Sequence, residues 1–251
     1  MPTIEKIPAY EPPAGVMNDR VVLVTGAGDG IGRAVSIALG KAGATVILLG
    51  RTVNKLEKVY DEILAAGGPR PAIYPMDLEG AVWDDYLELA DRIDAEYGRL
   101  DGLLHNAGLL GRRSPIEFYD PVEWQRVMLV NATAPFLLTR ACLPVLRKSK
   151  DASVVFTSSG VGRKGRAHWG AYAVSKFATE GLMETFADEM ENVPNIRANA
   201  INPGATRTNM RAKAYPGEDP MSLKTPEDIA GKYVWLLGPA SAGKQGISFD
   251  V

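Results

Sequence analysis

Tyr172 and Lys176 stand four residues apart in the segment AYAVSK, and Ser159 precedes the tyrosine by thirteen residues. Side chains four residues apart lie on one face of a helix, so the phenol and the ammonium can point into one cleft. A phenol can transfer a proton, an ammonium can stabilise the resulting anion, and a serine hydroxyl can hold a carbonyl oxygen. The three residues predict acid–base chemistry on a carbonyl or an alcohol, although a tyrosine–lysine pair alone is more often a solvated helix face.

A glycine-rich loop, TGAGDGIG, runs from Thr25 to Gly32 between a predicted strand and a predicted helix. This context is the one in which such a loop binds the pyrophosphate of a dinucleotide. Gly26, Gly30 and Gly32 let the backbone turn tightly and approach the phosphates, and the helix N-terminus offers unpaired N–H groups. The spacing, Gly-x-x-x-Gly-x-Gly, differs from the more familiar Gly-x-Gly-x-x-Gly. We predict a dinucleotide site here, and a plain tight turn is the alternative.

Apolar runs alternate with longer amphipathic stretches, a pattern typical of strands buried on both faces of a parallel sheet. Seven strands are predicted, at Val21–Thr25, Thr45–Gly50, Pro71–Met76, Gly102–His105, Ser153–Ser158, Arg197–Ile201 and Ile247–Asp250. Six helices are predicted, at Ile31–Ala42, Val53–Ala66, Trp83–Tyr97, Val122–Lys148, Tyr172–Met190 and Pro226–Leu237. The alternation indicates an α/β fold, a Rossmann-type, doubly wound, parallel seven-stranded sheet with helices on both faces.

The sequence shows no boundary between two large domains. We predict a poorly structured N-terminal extension, residues 1–18, and a single catalytic domain, residues 19–251. Pro135 is expected to break or kink the fourth helix soon after Asn131, because proline lacks an amide hydrogen. Residues 209–225, rich in proline, glycine and charge, are expected to form an irregular substrate-binding loop.

Composition excludes several classes of protein. The chain has 251 residues, of which 46% are hydrophobic and 23% charged, and its net charge is −2. Basic residues are not in excess, so the composition does not predict a nucleic-acid partner. The first residues carry acids and prolines where a secretory signal needs an apolar stretch, and no later run is expected to span a membrane. We therefore expect a cytoplasmic protein, without a metal site. Cys142 is the single cysteine, so it forms no intrachain disulfide and is expected to pack in a helix.

From Asp19 onward, the chain resembles the short-chain dehydrogenase/reductase superfamily, and segments such as HNAGLLG and INPGATRTNMRA are most similar to YciK-like bacterial oxidoreductases. The matching motifs, in order, are Thr25 to Gly32, Asp77, Asn106-Ala107-Gly108, Asn131, Ser159, Tyr172 with Lys176, and Pro203-Gly204 with Thr208. Each motif is weak alone, and their shared order carries the resemblance. His105 replaces the family's usual asparagine, and we expect it to end a buried strand.

The resemblance implies that Asn131, Ser159, Tyr172 and Lys176 form the catalytic set. The cofactor-binding residues that it implies are Gly26, Asp29, Gly30, Ile31, Gly32, Arg51, Asp77, Leu78, Asn106, Ala107, Gly108, Tyr172, Lys176, Pro203, Gly204, Thr206 and Thr208. In this reading a nicotinamide exchanges a hydride with the carbonyl carbon while the tyrosine exchanges a proton with the oxygen. Asn131 would hold a water that links Lys176 to solvent, or would only relieve the helix break at Pro135.

The charge of Lys176 is expected to lower the pKa of Tyr172. A free phenol titrates near pH 10, and lowering its pKa to about 7 needs roughly 4 kcal/mol. One ammonium about 4 Å away, at an effective dielectric constant near 20, supplies about that amount. The lysine is therefore sufficient in principle to make the phenol reactive at neutral pH.

The end of the second predicted strand, VILLGRT, determines the expected cofactor. NAD-binding proteins usually place a carboxylate there for the ribose, whereas an arginine accommodates the 2'-phosphate of NADP. Gly50 fills the acidic position and Arg51 follows it, so NADP(H) is favoured over NAD(H). Asp29 could repel that phosphate, or it could cap the following helix. Asp77 is expected to contact the adenine, with a helix-capping role as the alternative.

The sequence says little about the substrate. Arg112, Arg113, Arg163, Lys164 and Arg166 could attract an anionic substrate, or they could be solvated loop charges. His168 and Trp169 are close enough to Tyr172 in sequence to line a pocket. Two other functions remain open: epimerisation or dehydration on the same scaffold, and a sensor or interaction protein that binds NADP(H) without turnover.

A homodimer or homotetramer is expected, because the resembled family pairs its long Asn131 helix and its Tyr172 helix across two-fold axes. The apolar side chains on these two segments exceed what one buried stripe requires. They include Phe136, Leu137, Phe177, Leu182 and Phe186.

Overall fold

Eight parallel strands form one open sheet in the computed structural model, which describes residues 3–251. The strands are β1 (Thr3–Lys6), β2 (Val21–Thr25), β3 (Thr45–Gly50), β4 (Ala72–Pro75), β5 (Gly102–His105), β6 (Ala152–Thr157), β7 (Ile196–Asn202) and β8 (Ile247–Asp250). Their order is β1-β8-β7-β6-β5-β2-β3-β4. Strands β3 and β4 are added on one side of β2, and the chain then crosses to the other side of β2 with β5, so the order of the strands reverses there. In doubly wound sheets, ligands bind at the carboxyl ends of the strands beside such a reversal.

The predicted count of seven strands was wrong because β1 adds an eighth at the edge. Residues Thr3 to Lys6 pair in parallel with β8, in the register Thr3 to Ile247 and Lys6 to Asp250. Ile7, directly after β1, is buried in the core. This part of the predicted extension therefore belongs to the sheet, and it is not poorly structured.

Helices cover both faces of the sheet, as predicted. They are α1 (Gly30–Lys41), α2 (Val53–Ala65), α3 (Trp83–Tyr97), α4 (Pro121–Met128), α5 (Ala134–Arg147), α6 (Gly170–Glu189), α7 (Asn209–Ala214) and α8 (Pro226–Leu237). Leu23 faces the helices α3, α5 and α6, whereas its neighbours Val22 and Val24 face α1, α2 and α8. This alternation follows from the two-residue period of a strand, and it divides the apolar core into two layers.

The predicted break at Pro135 does not occur, and the alternative, a kink, stays a prediction. A π-helical turn, Leu129–Thr133, joins α4 to α5, so the helix is continuous from residue 121 to residue 147. A proline at position 135 removes the amide that would bond the Asn131 carbonyl oxygen, and the Thr179 hydroxyl donates to that oxygen instead, at 3.3 Å. By length and composition alone this helix could cross a membrane, but 56% of its most apolar window is buried inside the protein.

The predicted irregular loop, residues 209–225, contains regular structure. The short helix α7 occupies its first part, with Thr208 as the N-cap whose hydroxyl accepts a hydrogen bond from the Arg211 amide at 3.1 Å. A 3-10 turn, Pro220–Ser222, follows, and Thr206 and Lys224 form an isolated β-bridge at the base of the segment. The segment is therefore fixed at its base by this bridge, and its residues line the cavity at the carboxyl ends of the strands.

Candidate active site

One cavity of about 550 Å³ opens at the carboxyl ends of the central strands, where the sheet order reverses. All but two of the predicted site residues line it: Gly26, Asp29, Gly30, Ile31, Arg51, Asp77, Leu78, Asn106, Ala107, Gly108, Ser159, Tyr172, Lys176, Pro203, Gly204, Thr206 and Thr208. Gly32 and Asn131 are buried behind the wall. The structure thus brings the glycine loop and the Ser159–Tyr172–Lys176 set to one space.

The glycine loop is a cradle that larger residues would fill. A Cβ atom at Gly32 would lie 2.2 Å from the carbonyl oxygen of Gly26, which excludes every side chain at position 32. Gly26 has φ of +67°, a conformation that favours glycine. The loop therefore leads into the N-terminus of α1 with its backbone exposed to the cavity, as a pyrophosphate site requires.

Thr25 joins the glycine loop to the loop after β5. Its hydroxyl accepts hydrogen bonds from the amides of Asn106 (2.9 Å) and Ala107 (3.1 Å) and donates to the carbonyl oxygen of Leu104 at 3.1 Å. The two loops that flank the chain reversal are thereby fixed relative to each other. The segment Asn106 to Gly108 is positioned by this contact.

Tyr172 is buried in the first turns of α6, with its side chain against the cavity. Burial raises the pKa of Tyr172 to about 12, and a hydrogen bond with the Ser159 side chain opposes that rise. The predicted lowering toward 7 was wrong for this conformation, because desolvation disfavours the phenolate. The phenol is therefore protonated at neutral pH and can act as a proton donor.

The Lys176 ammonium is held by a backbone carbonyl oxygen beside the Tyr172 ring. Its Nζ donates to the carbonyl oxygen of Thr157 at 2.7 Å and lies 5.7 Å from the centroid of the Tyr172 ring. Burial lowers the pKa of Lys176 to about 8, whereas the charge of Glu180 raises it. The pKa of Lys176 is thus far closer to neutral pH than that of a free lysine. Glu180 was not among the predicted site residues.

Glu180 is a buried carboxylate one helical turn beyond Lys176. Its Oε1 accepts hydrogen bonds from the hydroxyls of Ser158 (2.5 Å) and Ser248 (2.9 Å) and from Arg163 Nε (3.2 Å). Arg163 also pairs with Asp250 at 2.7 Å. This cluster fixes the backbone beside Ser159, and it engages the Arg163 guanidinium, which does not line the cavity.

Asn131 braces the loop after β5. Its Oδ1 accepts from the Leu109 amide at 2.7 Å, and its Nδ2 donates to the Leu109 carbonyl oxygen (2.8 Å) and to the Ser175 hydroxyl (3.0 Å). Ser175 precedes Lys176, so Asn131 ties the loop to the catalytic helix. The water link from Asn131 to Lys176 stays a prediction.

Arg51 and Lys55 supply positive charge at the end of the cavity beyond the glycine loop. Arg51 is exposed, lines the cavity and forms no salt bridge within residues 3–251. Lys55 pairs with Asp29 at 2.6 Å, and Asp29 also accepts from the Gly30 amide at 2.7 Å. Asp29 therefore caps α1 and is neutralised by Lys55, a residue that the sequence analysis missed.

Asp77 and Leu78 line the cavity on its other wall, next to Glu79. The Asp77 carboxylate accepts from the Glu79 amide at 3.2 Å, and Glu79 forms a salt bridge with Arg126 at 2.7 Å. Asp77 thus makes the local backbone contact of a turn and still faces the cavity. Its predicted contact with the adenine stays a prediction.

The segment with α7 covers the cavity opposite Tyr172. Trp169 lies 5.7 Å from Tyr172 and 5.9 Å from Tyr215, between ring centroids. The Arg113 guanidinium is 4.9 Å from the Trp169 centroid and donates to the Ala214 carbonyl oxygen. Arg113 therefore fastens α7 to the loop after β5, and Trp169 lines the pocket as expected.

Several predicted candidates lie outside the cavity. Arg112, Lys164, Arg166 and His168 are exposed and do not line it. The His105 ring contacts the Thr139 hydroxyl at 2.8 Å and stacks on Phe156, and burial lowers its pKa to about 3. His105 thus ends a buried strand, as expected. Cys142 is buried in α5, where burial raises its pKa to about 12.

Comparison with known proteins agrees with this geometry. Residues 20–219 match the short chain dehydrogenase family. The uncharacterized oxidoreductase YciK of Escherichia coli K12 is 53% identical over 241 residues, which cover 96% of this chain and 95% of YciK. The predicted resemblance is confirmed.

Two solved structures of similar proteins contain a cofactor. A short chain dehydrogenase from Shigella flexneri 2a, complexed with NADP, has a TM-score of 0.92 and 52% identity, covering 95% of this chain and 99% of that one. A short chain dehydrogenase from Escherichia coli CFT073, complexed with NADPH, has a TM-score of 0.92 and 54% identity, with the same coverage.

Proposed function

The chain belongs to the short chain dehydrogenase family of oxidoreductases, and from that membership we propose that it is an NADPH-dependent carbonyl reductase. Ser159, Tyr172 and Lys176 line the same cavity as the glycine loop, and this single observation carries the proposal. A protein that only binds a dinucleotide does not need a buried phenol, a hydroxyl and an ammonium beside that site.

The residues present fit NADP(H). The glycine cradle leaves room for a pyrophosphate, and Lys55 neutralises the neighbouring Asp29. Arg51, which forms no salt bridge in the described part of the chain, places a cation where the 2'-phosphate is expected. The relatives complexed with NADP and NADPH support this assignment. When bound, the reduced nicotinamide supplies the hydride for reduction.

The protein's own groups handle the proton and the orientation of the carbonyl. Ser159 donates a hydrogen bond to the carbonyl oxygen, and Tyr172 donates its phenolic proton to the same oxygen as negative charge develops there. The positive charge of Lys176 favours the phenolate that remains. In the direction of reduction, the protonated phenol of Tyr172 is the group that supplies this proton.

A screen of aldehydes and ketones against the purified protein tests this function. We expect loss of nicotinamide absorbance with NADPH that depends on both the carbonyl compound and the protein. Tight binding of NADPH without turnover of any carbonyl or alcohol would support a sensor. Consumption of a sugar or a hydroxy compound without net change in the cofactor would support epimerisation or dehydration.

Reduction is expected to weaken as the pH rises through about 8. The pKa of Lys176 is lowered to about 8, so the ammonium loses its proton above that pH, whereas Tyr172, with a pKa of about 12, remains protonated. NMR titration of carbon-labelled lysines, with Lys176 assigned from the Lys176→Met variant, measures the lysine directly. In Glu180→Gln the pKa of Lys176 should fall further, because the carboxylate that raises it is gone. An unchanged pKa of Lys176 in that variant, or a wild-type value near that of a free lysine, contradicts this account.

We also propose a homo-oligomer that pairs the long helix and α6 of two chains. Phe136 and Phe177 are 47% and 44% exposed, and Val174, on the same helix as Phe177, is 43% exposed. Exposed apolar side chains on adjacent helices suit a two-fold interface. Phe186 does not contribute, because it is buried in the core of this chain.

Light scattering at micromolar concentration is expected to give at least twice the monomer mass of 27.0 kDa. The Phe136→Glu and Phe177→Glu double variant should shift the protein toward monomer, because it places charge in the apolar contact. Leu64→Glu, a change at an exposed apolar residue of α2, outside the two paired helices, serves as the control. A wild-type monomer at this concentration rejects the proposal.

A further inference from the structure

The substrate end of the cavity has apolar walls. Leu110, Trp169, Met210 and Ala214 cluster around Tyr172 and line the cavity between the catalytic phenol and α7. Apolar walls beside a reacting centre favour a ligand whose body is apolar. The carbonyl oxygen of such a ligand would lie at Ser159 and Tyr172.

Lys213 lies on the cavity side of α7. Met210, Lys213 and Ala214 have the spacing i, i+3, i+4, so they share one face of the helix, and all three line the cavity. Met210 and Ala214 pack into the apolar cluster, whereas Lys213 is exposed. A lysine at such a position lays its stem along the apolar wall and keeps its ammonium at the cavity mouth.

The other cations beside α7 are already engaged. Arg211 forms a salt bridge with Glu218 at 2.6 Å and lies over the Tyr215 ring at 3.8 Å. Arg113 lies against Trp169 and donates to a backbone carbonyl oxygen. Within residues 3–251, Lys213 forms no salt bridge and no side-chain hydrogen bond.

The carboxylates that line the cavity are all at its cofactor end. Asp29 is paired with Lys55, Glu79 is paired with Arg126, and Asp77 accepts a backbone hydrogen bond. In the described part of the chain, no acidic side chain lines the apolar substrate end. The charge at this end is therefore a single unpaired cation at the mouth.

We propose that this site takes keto acids or aldehyde acids: carbonyl compounds with an apolar body and a carboxylate that pairs with Lys213. The carboxylate rests on Lys213, the body lies against Trp169 and Met210, and the carbonyl reaches Tyr172. This inference rests on the proposed reductase function and names its substrate class. Lys213 thus takes the role that the sequence suggested for cations of the neighbouring loops, such as Lys164, which do not line the cavity.

The test uses a series of aryl and alkyl keto acids in which the carbonyl–carboxylate distance varies, each compared with its uncharged carboxamide. Binding to the full-length protein loaded with NADP+ is measured by calorimetry, and kcat/KM is measured with NADPH. At least one acid should bind about twofold to fivefold more tightly than its amide, as for a partly exposed ion pair. Lys213→Gln should remove the difference, and Lys213→Glu should reverse it.

Lys164→Gln is the matched control, because it removes an exposed lysine from the loop between Ser159 and Tyr172. It should keep the preference for the acid, and NADPH affinity should be unchanged in both glutamine variants. The inference is overturned if no acid is preferred, if the preference survives in Lys213→Gln, or if that variant loses NADPH affinity instead.

Calorimetric binding and kcat/KM together distinguish failure of the Lys213 assignment from failure of the proposed reductase function. Reduction of neutral carbonyls without any preference for acids would remove the Lys213 assignment and leave the reductase intact. Binding of acids that depends on Lys213, without turnover of any carbonyl, would remove the reductase assignment and leave the anion site.

Discussion

Replacing Tyr172 with phenylalanine is expected to lower kcat for carbonyl reduction by about 10²- to 10⁴-fold while NADPH still binds. The substitution removes only the hydroxyl that donates the proton, and the phenylalanine ring preserves the contact with Trp169. The measurement is steady-state turnover, together with a calorimetric titration of NADPH.

Two further variants give this result its meaning. Tyr74→Phe makes the same chemical change on β4, outside the cavity, and should retain activity. Lys176→Ala should damage both turnover and cofactor binding, because the ammonium lines the cofactor space as well. Near-normal activity in Tyr172→Phe would falsify the assignment of the proton donor.

Replacing Arg51 with alanine is expected to weaken NADPH binding by about tenfold to a hundredfold and to leave NADH binding almost unchanged. Hydrogen bonds to charged groups contribute roughly 1.5 to 3 kcal/mol, and NADH lacks the 2'-phosphate that Arg51 would contact. The preference for NADPH should also shrink at high salt, since the contact lies at an exposed residue. Titration of both cofactors against wild type and variant measures the effect.

Gly50→Asp, combined with Arg51→Ala, should move the preference toward NADH by supplying an acceptor for the ribose. A Cβ atom at Gly50 would lie 3.2 Å from Leu56 Cδ2, so the leucine must shift by a few tenths of an ångström. Arg166→Ala, an exposed arginine outside the cavity, is the control. Equal loss of affinity for both cofactors in Arg51→Ala, or tighter binding of NADH by wild type, rules out Arg51 as the selector.

The strands that form the centre of the sheet were predictable from sequence because each contains a continuous apolar run. β2, β3, β5 and β6 begin and end within one residue of their predicted bounds, and each is almost fully buried. β1 was missed because its four residues, TIEK, are mostly polar and largely exposed. Its pairing with β8 is a contact between the two ends of the chain, which no local pattern reveals.

The catalytic set was predictable because short motifs keep their order, but the electrostatics of the site were not. The distance from Lys176 to Tyr172 was assumed, whereas the fold turns the ammonium toward the Thr157 carbonyl oxygen. Glu180 could be suspected only from its position one turn after Lys176. Lys213 lies in a segment that was expected to be irregular, so no helical spacing indicated that it shares a face with Met210 and Ala214.

In the proposed reaction, NADPH supplies a hydride to the carbonyl carbon within this cavity while Tyr172 protonates the oxygen. The most direct test supplies NADPH deuterated on the transferred face of C4, with a carbonyl compound that the screen identifies, and analyses the alcohol by mass spectrometry. We expect one deuterium on the carbinol carbon of the product made by wild type, and almost no product from Tyr172→Phe. An alcohol without deuterium when NADPH labelled on either face is used, or oxidation of NADPH without formation of an alcohol, would contradict it.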